Sequence, residues 1–499
     1  MTLVVLGVYL LLVLSIGLAS HRLFRGTGED YALATRSIGP FVLLMSLFGT
    51  HMTAFSLLGA SGESYRVGLG VFSLMASSSA ILIPLIFFFV GTRLWALGKR
   101  FGYTTQPQYF RDRFDSPFLG QALFAVLVAL VVPYLLIGVM GGGVTLSRIT
   151  GGDVPAWVGG AAISLVVLTY VSFGGLRGTA WANTFQTLVF MTLGAVTLVY
   201  LVRQLGGLDT ALTRIATERP DLLARGDAIP PAKLLSYTLI PLSAGMFPHL
   251  FMHWLSAKRV ESFKLPIVAY PLCIAAVWVP SVLLGMFGRL DFPDLEGAQA
   301  SSVLIRMIHL HAPELLAGLL GAGVFAAVMS SLDSQVLALS NMFAHDVYDR
   351  RGTASEAAKV RAGRLFVIGL IVLTFLLSLV ADSSIFGLAV WSFTGFSGLF
   401  PLVLAALFWR RATAAGALAA LATTAALWIY FFSVGWQVPG YSVGGTGILP
   451  VVPIVGASAL AMVVVSLLTP PPAAATVRRF FPAARAWRPP GDCTQGANP

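Results

Sequence analysis

Charge is what this sequence has least of. Only 11% of its 499 residues are Asp, Glu, Lys or Arg, where a soluble domain carries roughly 25%. So little charge cannot cover a surface that faces water all round, which excludes a soluble globular fold. Cysteine is scarce as well. Cys273, in an apolar stretch, and Cys493, near the C-terminus, provide neither a disulfide framework nor metal-binding spacing. A basic leader is missing: His21, Arg22 and Arg25 follow the first apolar run instead of preceding it. That order predicts a first membrane helix with its N-terminus outside, not a cleaved signal peptide. No nucleophile, base and orienting group stand together, so neither an enzyme nor a cofactor is expected.

Apolar runs fill the chain instead. Hydrophobic residues make up 57% of it, and 51 glycines let helices approach one another and break. A span needs about 20 apolar residues. Thirteen runs qualify: 2–20, 38–61, 69–97, 118–147, 154–173, 180–203, 234–257, 265–289, 314–344, 360–381, 384–409, 412–433 and 446–468. The formal net charge of +11 comes from short loops on one side of this ladder, among them Lys99, Arg100, Arg111, Arg113, Lys258, Arg259, Arg410 and Arg411. This is the positive-inside pattern, not a nucleic-acid surface. It predicts a multi-pass protein of the plasma (inner) membrane with a cytoplasmic C-terminus. The Pro-, Ala- and Arg-rich tail 469–499 reads as disordered. The lipid bilayer is then a necessary partner, and a monomer is sufficient.

Two runs do not read as plain helices. GTHMTAFS (49–56) interrupts the second span, and PLSAGMFPHLFMH (241–253) interrupts the seventh. Interrupted helices at matching positions of two halves point to a midplane binding site. The ninth span carries AAVMSSLDSQ (326–335), and polar groups at that depth usually mark an ion or substrate path. Ala327, Ser330, Ser331 and Ser334 share one helical face. A sodium ion takes about five or six oxygens. Ser330 and Ser331 could supply hydroxyls, Ala327 a carbonyl, and 49–53 further carbonyls. Helix-packing serines are the alternative. Asp333 reads as a proton carrier, a coupling carboxylate or, preferred, a structural group.

His51 and His249 are candidates for lining a solute cavity or for packing. His249 and His253 have an i, i+4 spacing, but no third metal ligand accompanies them. Thr50, Thr53, Phe247, Phe251, Trp391 and Thr394 are further candidate solute contacts, and Trp254, Phe393 and Phe396 could also wall a pocket. Thr394 lies in SFTGFSG (392–398), a run suited to a cavity-lining or gating helix.

Several stretches resemble the sodium:solute symporter family. They are DYALATRSIGPFVLLMSLFGTHMTAFSLLGASGESYRVGLG (30–70), FGGLRGTAWANTFQT (173–187), FPHLFMHWLSAKRVESFK (247–264), AAVMSSLDSQVLALSNMFAHDVY (326–348) and FWRRATAAGALAA (408–420). The resemblance implies an all-α, LeuT-type inverted-repeat core of five plus five helices, with one helix before it and two after. Residues 1–37 would hold the extra first helix, 38–203 the first half, 204–409 the second half with outside loops 204–233 and 290–313, and 410–468 the last two helices. It further implies sodium-coupled import of a small organic solute. The sodium ion would lie on the Gly49, Met52 and Ala327 carbonyls and the Ser330 and Ser331 hydroxyls, with Asp333, Ser334 and Asn183 in supporting or coupling roles. This sequence has His51 where the proline carrier has an Asp, which argues against proline as solute. It has Asn183 where many members have an Asp, which predicts one coupling ion. A proton-coupled symporter and a non-transporting sensor are the alternatives.

Overall fold

The computed structural model describes residues 1–20, 33–226, 228–350, 352–381, 384–436, 438 and 440–482. Several residues weighed above lie outside these: 30–32 of the first motif, His21, Arg22, Arg25, Cys493 and the tail beyond 482. Among the described residues nine helices are long and apolar enough to cross a membrane, and two bent pairs bring the number to eleven.

In chain order, α1 is Thr2–Ser20. The first bent pair is α2 (Pro40–His51) and α3 (Phe55–Val67), at 58° to one another. Then come α4 (Phe72–Phe101), the short α5 (Gln106–Phe114), α6 (Pro117–Ile149), α7 (Ala156–Thr169) and α8 (Gly178–Gln204). Outside the spans lies α9 (Leu208–Glu218). The second bent pair is α10 (Pro231–Gly245) and α11 (Pro248–Ser256), at 49°. It is followed by α12 (Val260–Asp291), α13 (Val303–His311), α14 (Glu314–Tyr348), α15 (Glu356–Ser378), α16 (Ile385–Phe408), α17 (Ala414–Gly435) and α18 (Val451–Leu468). A last short helix, α19, is Ala474–Phe480.

The fold is all-α, and both interruptions fall in the two spans where the sequence places them. α7 and α8 separate at Gly175, whose φ of 55° and ψ of −162° suit glycine. α14 is the hub: 83% of its most apolar stretch is buried inside the protein, against 28% for α15, α17 and α18. It packs on α1, α2, α6 and α15. The polar run 326–335 therefore faces protein on every side, consistent with the rule that intramembrane polar groups avoid lipid.

Helices α9 and α13 lie within 204–233 and 290–313, the stretches read as outside loops. One expectation needs correction. The tail is not disordered from Thr469 onward, because 474–480 is helical. The Phe480 ring lies 5.3 Å from that of Phe101 and 6.1 Å from that of Tyr109 and is buried. Composition alone predicted disorder; the burial of one aromatic ring orders the segment.

Candidate functional site

The site begins where α2 stops. A helix end leaves its last carbonyls without backbone partners. Here Met52 turns extended, at φ −89° and ψ 94°, and its N–H closes the helix on the Phe48 carbonyl at 2.8 Å. Thr53 then starts α3. Its hydroxyl accepts from the Phe55 N–H at 3.0 Å, and its carbonyl accepts from the Ser56 N–H at 3.0 Å and the Ser56 hydroxyl at 2.9 Å. The carbonyls stranded by the break are met by side chains from other helices. Ser330 Oγ on α14 donates to the Gly49 carbonyl at 2.9 Å. Tyr134 Oη on α6 donates to the His51 carbonyl at 3.0 Å.

Three of the five predicted sodium ligands thus meet at one hydroxyl, since Ser330 Oγ also lies 3.1 Å from the Ala327 carbonyl. Met52 occupies the break itself. Ser331 donates to the Val328 carbonyl at 3.0 Å, a local helix bond that a cation would have to displace. Gly49 lets α2 approach α8 closely, for a Cβ there would overlap Thr187 Oγ1. That hydroxyl donates to the Met45 carbonyl at 3.0 Å.

Beside the break lies a buried chamber of rings. The Phe247 ring centroid is 5.6 Å from that of His51, 5.0 Å from His249, 5.5 Å from Tyr134, 5.4 Å from Phe393 and 4.8 Å from Phe396. His51 Nδ1 is 2.6 Å from Tyr270 Oη. None of these side chains carries a permanent charge. His249 is fully buried, and neither of its ring nitrogens has a hydrogen-bond partner; the buried Thr50 hydroxyl has none either. Buried polar atoms are nearly always paired, so these groups are candidates for meeting a ligand.

The other predicted solute contacts divide. Thr394 is buried on α16 next to Phe393. Phe251 is buried on α11 but makes no ring contact with the chamber among the described residues. Thr53 is committed to capping α3. Trp391 is a correction: its ring packs at 5.5 Å on Phe432 of α17 and at 6.2 Å on Tyr441, and its carbonyl accepts from Trp428 Nε1. An aromatic on a spanning helix has several faces to choose from, and sequence does not say which neighbour takes it. Tyr134 and Tyr270 were missed. The available signal was a phenol inside an apolar run, which when buried needs a partner.

A second polar node joins three helices. Asn183 Nδ2 on α8 donates to Ser334 Oγ on α14 at 2.7 Å, and His253 Nε2 on α11 lies 3.2 Å from the same oxygen. His253 thereby ties α11 to α14, while His249 stacks in the chamber. Asp333 is fully buried beside Ser334.

Both ends of the site are covered. On one side Arg36 Nη1 donates to the Leu255 carbonyl at 3.2 Å and Nη2 to the Tyr103 carbonyl at 2.9 Å. The Lys258 N–H donates to the Ile38 carbonyl at 2.9 Å, closing the chain before α2 onto the end of α11. On the other side Tyr65 Oη donates to the Phe292 carbonyl at 2.6 Å, and the Arg289 guanidinium lies 4.2 Å over the Tyr65 ring. A small cavity lies elsewhere, among Leu57, Phe190, Pro280 and Leu320. Its walls are mostly apolar, and the two hydroxyls among them, Thr197 and Ser281, bond back to the Leu193 and Val277 carbonyls of their own helices.

Paired broken helices around a covered polar site are the architecture of a secondary transporter. Two solved structures share it. One is a sodium-coupled sialic acid symporter in a substrate-bound outward-open state, with TM-score 0.78 and 18% identity, covering 94% of this chain and 98% of that one. The other is Mhp1, a nucleobase-cation-symport-1 family transporter, in a closed conformation, with TM-score 0.60 and 15% identity, covering 90% and 97%. Among curated proteins, the sodium/pantothenate symporter of Escherichia coli (strain K12) is 28% identical over 91% of this chain and 94% of its own. The sodium/proline symporter of the same strain is 28% identical over 84% and 87%.

Residues 31–423 match the model of the Sodium:solute symporter family, and the chain belongs to that family. It is a multi-pass, sodium-coupled symporter of a small solute and not an enzyme; sodium serves as coupling ion.

Proposed function

We propose that sodium is held between the α2 break and α14, by the Gly49, Met52 and Ala327 carbonyls and the Ser330 and Ser331 hydroxyls, and that the chamber around Phe247 holds the solute. The observation that carries this reading is the 2.9 Å bond from Ser330 Oγ to the Gly49 carbonyl. It spans two helices and brings a hydroxyl and a stranded carbonyl to one point. A hard cation entering there would exchange that bond for oxygen coordination and tie α2 to α14. Because His51 follows Gly49 closely on α2, the same tie fixes one wall of the chamber. Sodium and solute each favour the state in which both sites are formed, which is the coupling.

Asn183, Ser334 and His253 brace α8, α11 and α14 around the site, with Asp333 in a supporting role. The short apolar helices Thr2–Ile16 and Ala156–Thr169 would raise the crossings to thirteen. With the one-sided Arg and Lys, that supports an outside N-terminus and a cytoplasmic C-terminus in the plasma membrane. The domain limits 1–37, 38–203, 204–409 and 410–468 follow from the same count, and a monomer contains the whole site.

The test is uptake into proteoliposomes under an inward sodium gradient. Solute should accumulate with sodium and fail to accumulate when potassium replaces it. Uptake driven by a pH gradient in sodium-free buffer would instead support proton coupling.

A further inference from the structure

We infer that the solute carries a carboxylate and no net positive charge, and that the carboxylate docks at the N-terminus of α11 on His249. The inference rests on the sodium-symport reading and extends it to the chemistry of the cargo.

The two half-helices that begin at the breaks differ. Each presents first-turn N–H groups and the positive end of its dipole to the middle of the protein. At α3 that end is already satisfied, since Thr53 Oγ1 accepts from the Phe55 N–H at 3.0 Å. At α11 it is not: the capping position is Phe247, whose side chain makes no cap bond, and the first helical residue is Pro248, which has no N–H. The residue after Pro248 is His249, fully buried with both ring nitrogens unpartnered. A helix N-terminus and an unpartnered imidazole at its second position are two independent features that suit the same group, an anion with two oxygens.

The rest of the chamber limits the charge the solute can carry. His51, Tyr134, Phe247, Tyr270, Phe393 and Phe396 provide no carboxylate. A cationic solute arriving with sodium would bring a second positive charge into a buried region whose one nearby carboxylate among the described residues is Asp333, whereas a carboxylate on the solute offsets the sodium charge. The rings of Phe247, Tyr134, Phe393 and Phe396 make the surroundings apolar and suit the apolar body of the solute. Specificity on this account lies in His249: it separates an acid from its amide, while the rings set size and shape.

The experiment uses the purified full-length protein and its thermal unfolding in sodium and in potassium buffers of equal ionic strength. The probes are acetate, phenylacetate, L-proline and pantothenate, each beside its uncharged or cationic counterpart: acetamide, phenylacetamide, L-prolinamide and pantothenyl alcohol. The expected result is further stabilisation, in sodium only, by at least one carboxylate and not by its counterpart. In His249→Gln, with its circular dichroism spectrum retained, the same carboxylate should need on the order of tenfold higher concentration. Equal stabilisation by a counterpart, an unchanged His249→Gln response, or stabilisation by sodium with no carboxylate effect each overturns the inference and leaves sodium coupling standing. No sodium effect at all removes the reading beneath it, and the inference with it.

Discussion

Ser330 and Gly49 show how little freedom single residues have at this site. The Ser330 hydroxyl bridges two carbonyls, Gly49 at 2.9 Å and Ala327 at 3.1 Å. Ser330→Ala removes the bridge and one oxygen of the proposed ion site. We expect a roughly tenfold rise in the sodium concentration giving half-maximal uptake, equivalent to about 1.4 kcal/mol, read from sodium titrations of uptake. Gly49→Ala should fail for a steric reason, because its Cβ would overlap Thr187 Oγ1. Thr187→Ala removes that oxygen and leaves Thr187's own Cβ position 3.4 Å from the new methyl, an ordinary contact. The double variant should therefore recover much of the folded yield lost in Gly49→Ala, while Thr187→Ala alone costs about 1 kcal/mol for its bond to Met45. Yield on size-exclusion chromatography checks both, and a double variant no better than Gly49→Ala would contradict the close-packing argument. At this scale the sequence was informative where chemistry is periodic: Ala327, Ser330 and Ser331 share a face by spacing alone. It was silent on partners. Nothing in the spacing of Trp391 says that it packs on Phe432, and nothing around Tyr270 says that its hydroxyl reaches His51. Those depend on which helices become neighbours.

The elements were more legible. Gly, Pro and hydroxyl residues inside apolar runs marked both broken helices, and the structure bends at both, by 58° and 49°. Thr53 is the joint of the first. Its hydroxyl caps α3, and Thr53→Ala should destabilise the protein by about 1 kcal/mol, seen as a lower unfolding temperature in sodium-free buffer. Thr53→Ser, which keeps the oxygen, should behave as wild type. The C-terminal helix α19 was hidden because its composition is that of a linker. What orders it lies far from it in sequence, at the end of α4 and in α5. Phe480 packs on Phe101 and Tyr109, and Arg479 Nη2 sits 3.4 Å from Asp112 Oδ2. The ion pair is exposed and contributes little; ring burial contributes about 2 kcal/mol. Phe480→Ala should therefore lower the unfolding temperature by a few degrees, and Arg479→Gln should not. Because α5 also carries Gln106, whose amide donates to the Met246 carbonyl at 3.2 Å, loosening α19 should also be felt at the second break.

For the molecule as a whole, the low charge, the apolar runs and the one-sided Arg and Lys already specified a polytopic bundle, and the motifs specified the family. What remained illegible was the state of the site. It is covered at both ends and filled by its own rings, a property of tertiary packing that no local pattern encodes. A site closed in this way predicts that ligands act chiefly by shifting populations among states, and hence by stabilising the protein in proportion to occupancy. The most direct measurement of the central claim is thermal unfolding of wild type and Ser331→Ala in sodium against potassium at equal ionic strength, without solute. The account predicts a saturable rise with sodium in wild type and a much weaker one in Ser331→Ala. An identical sodium response in the two proteins, or no difference between sodium and potassium in wild type, would contradict it.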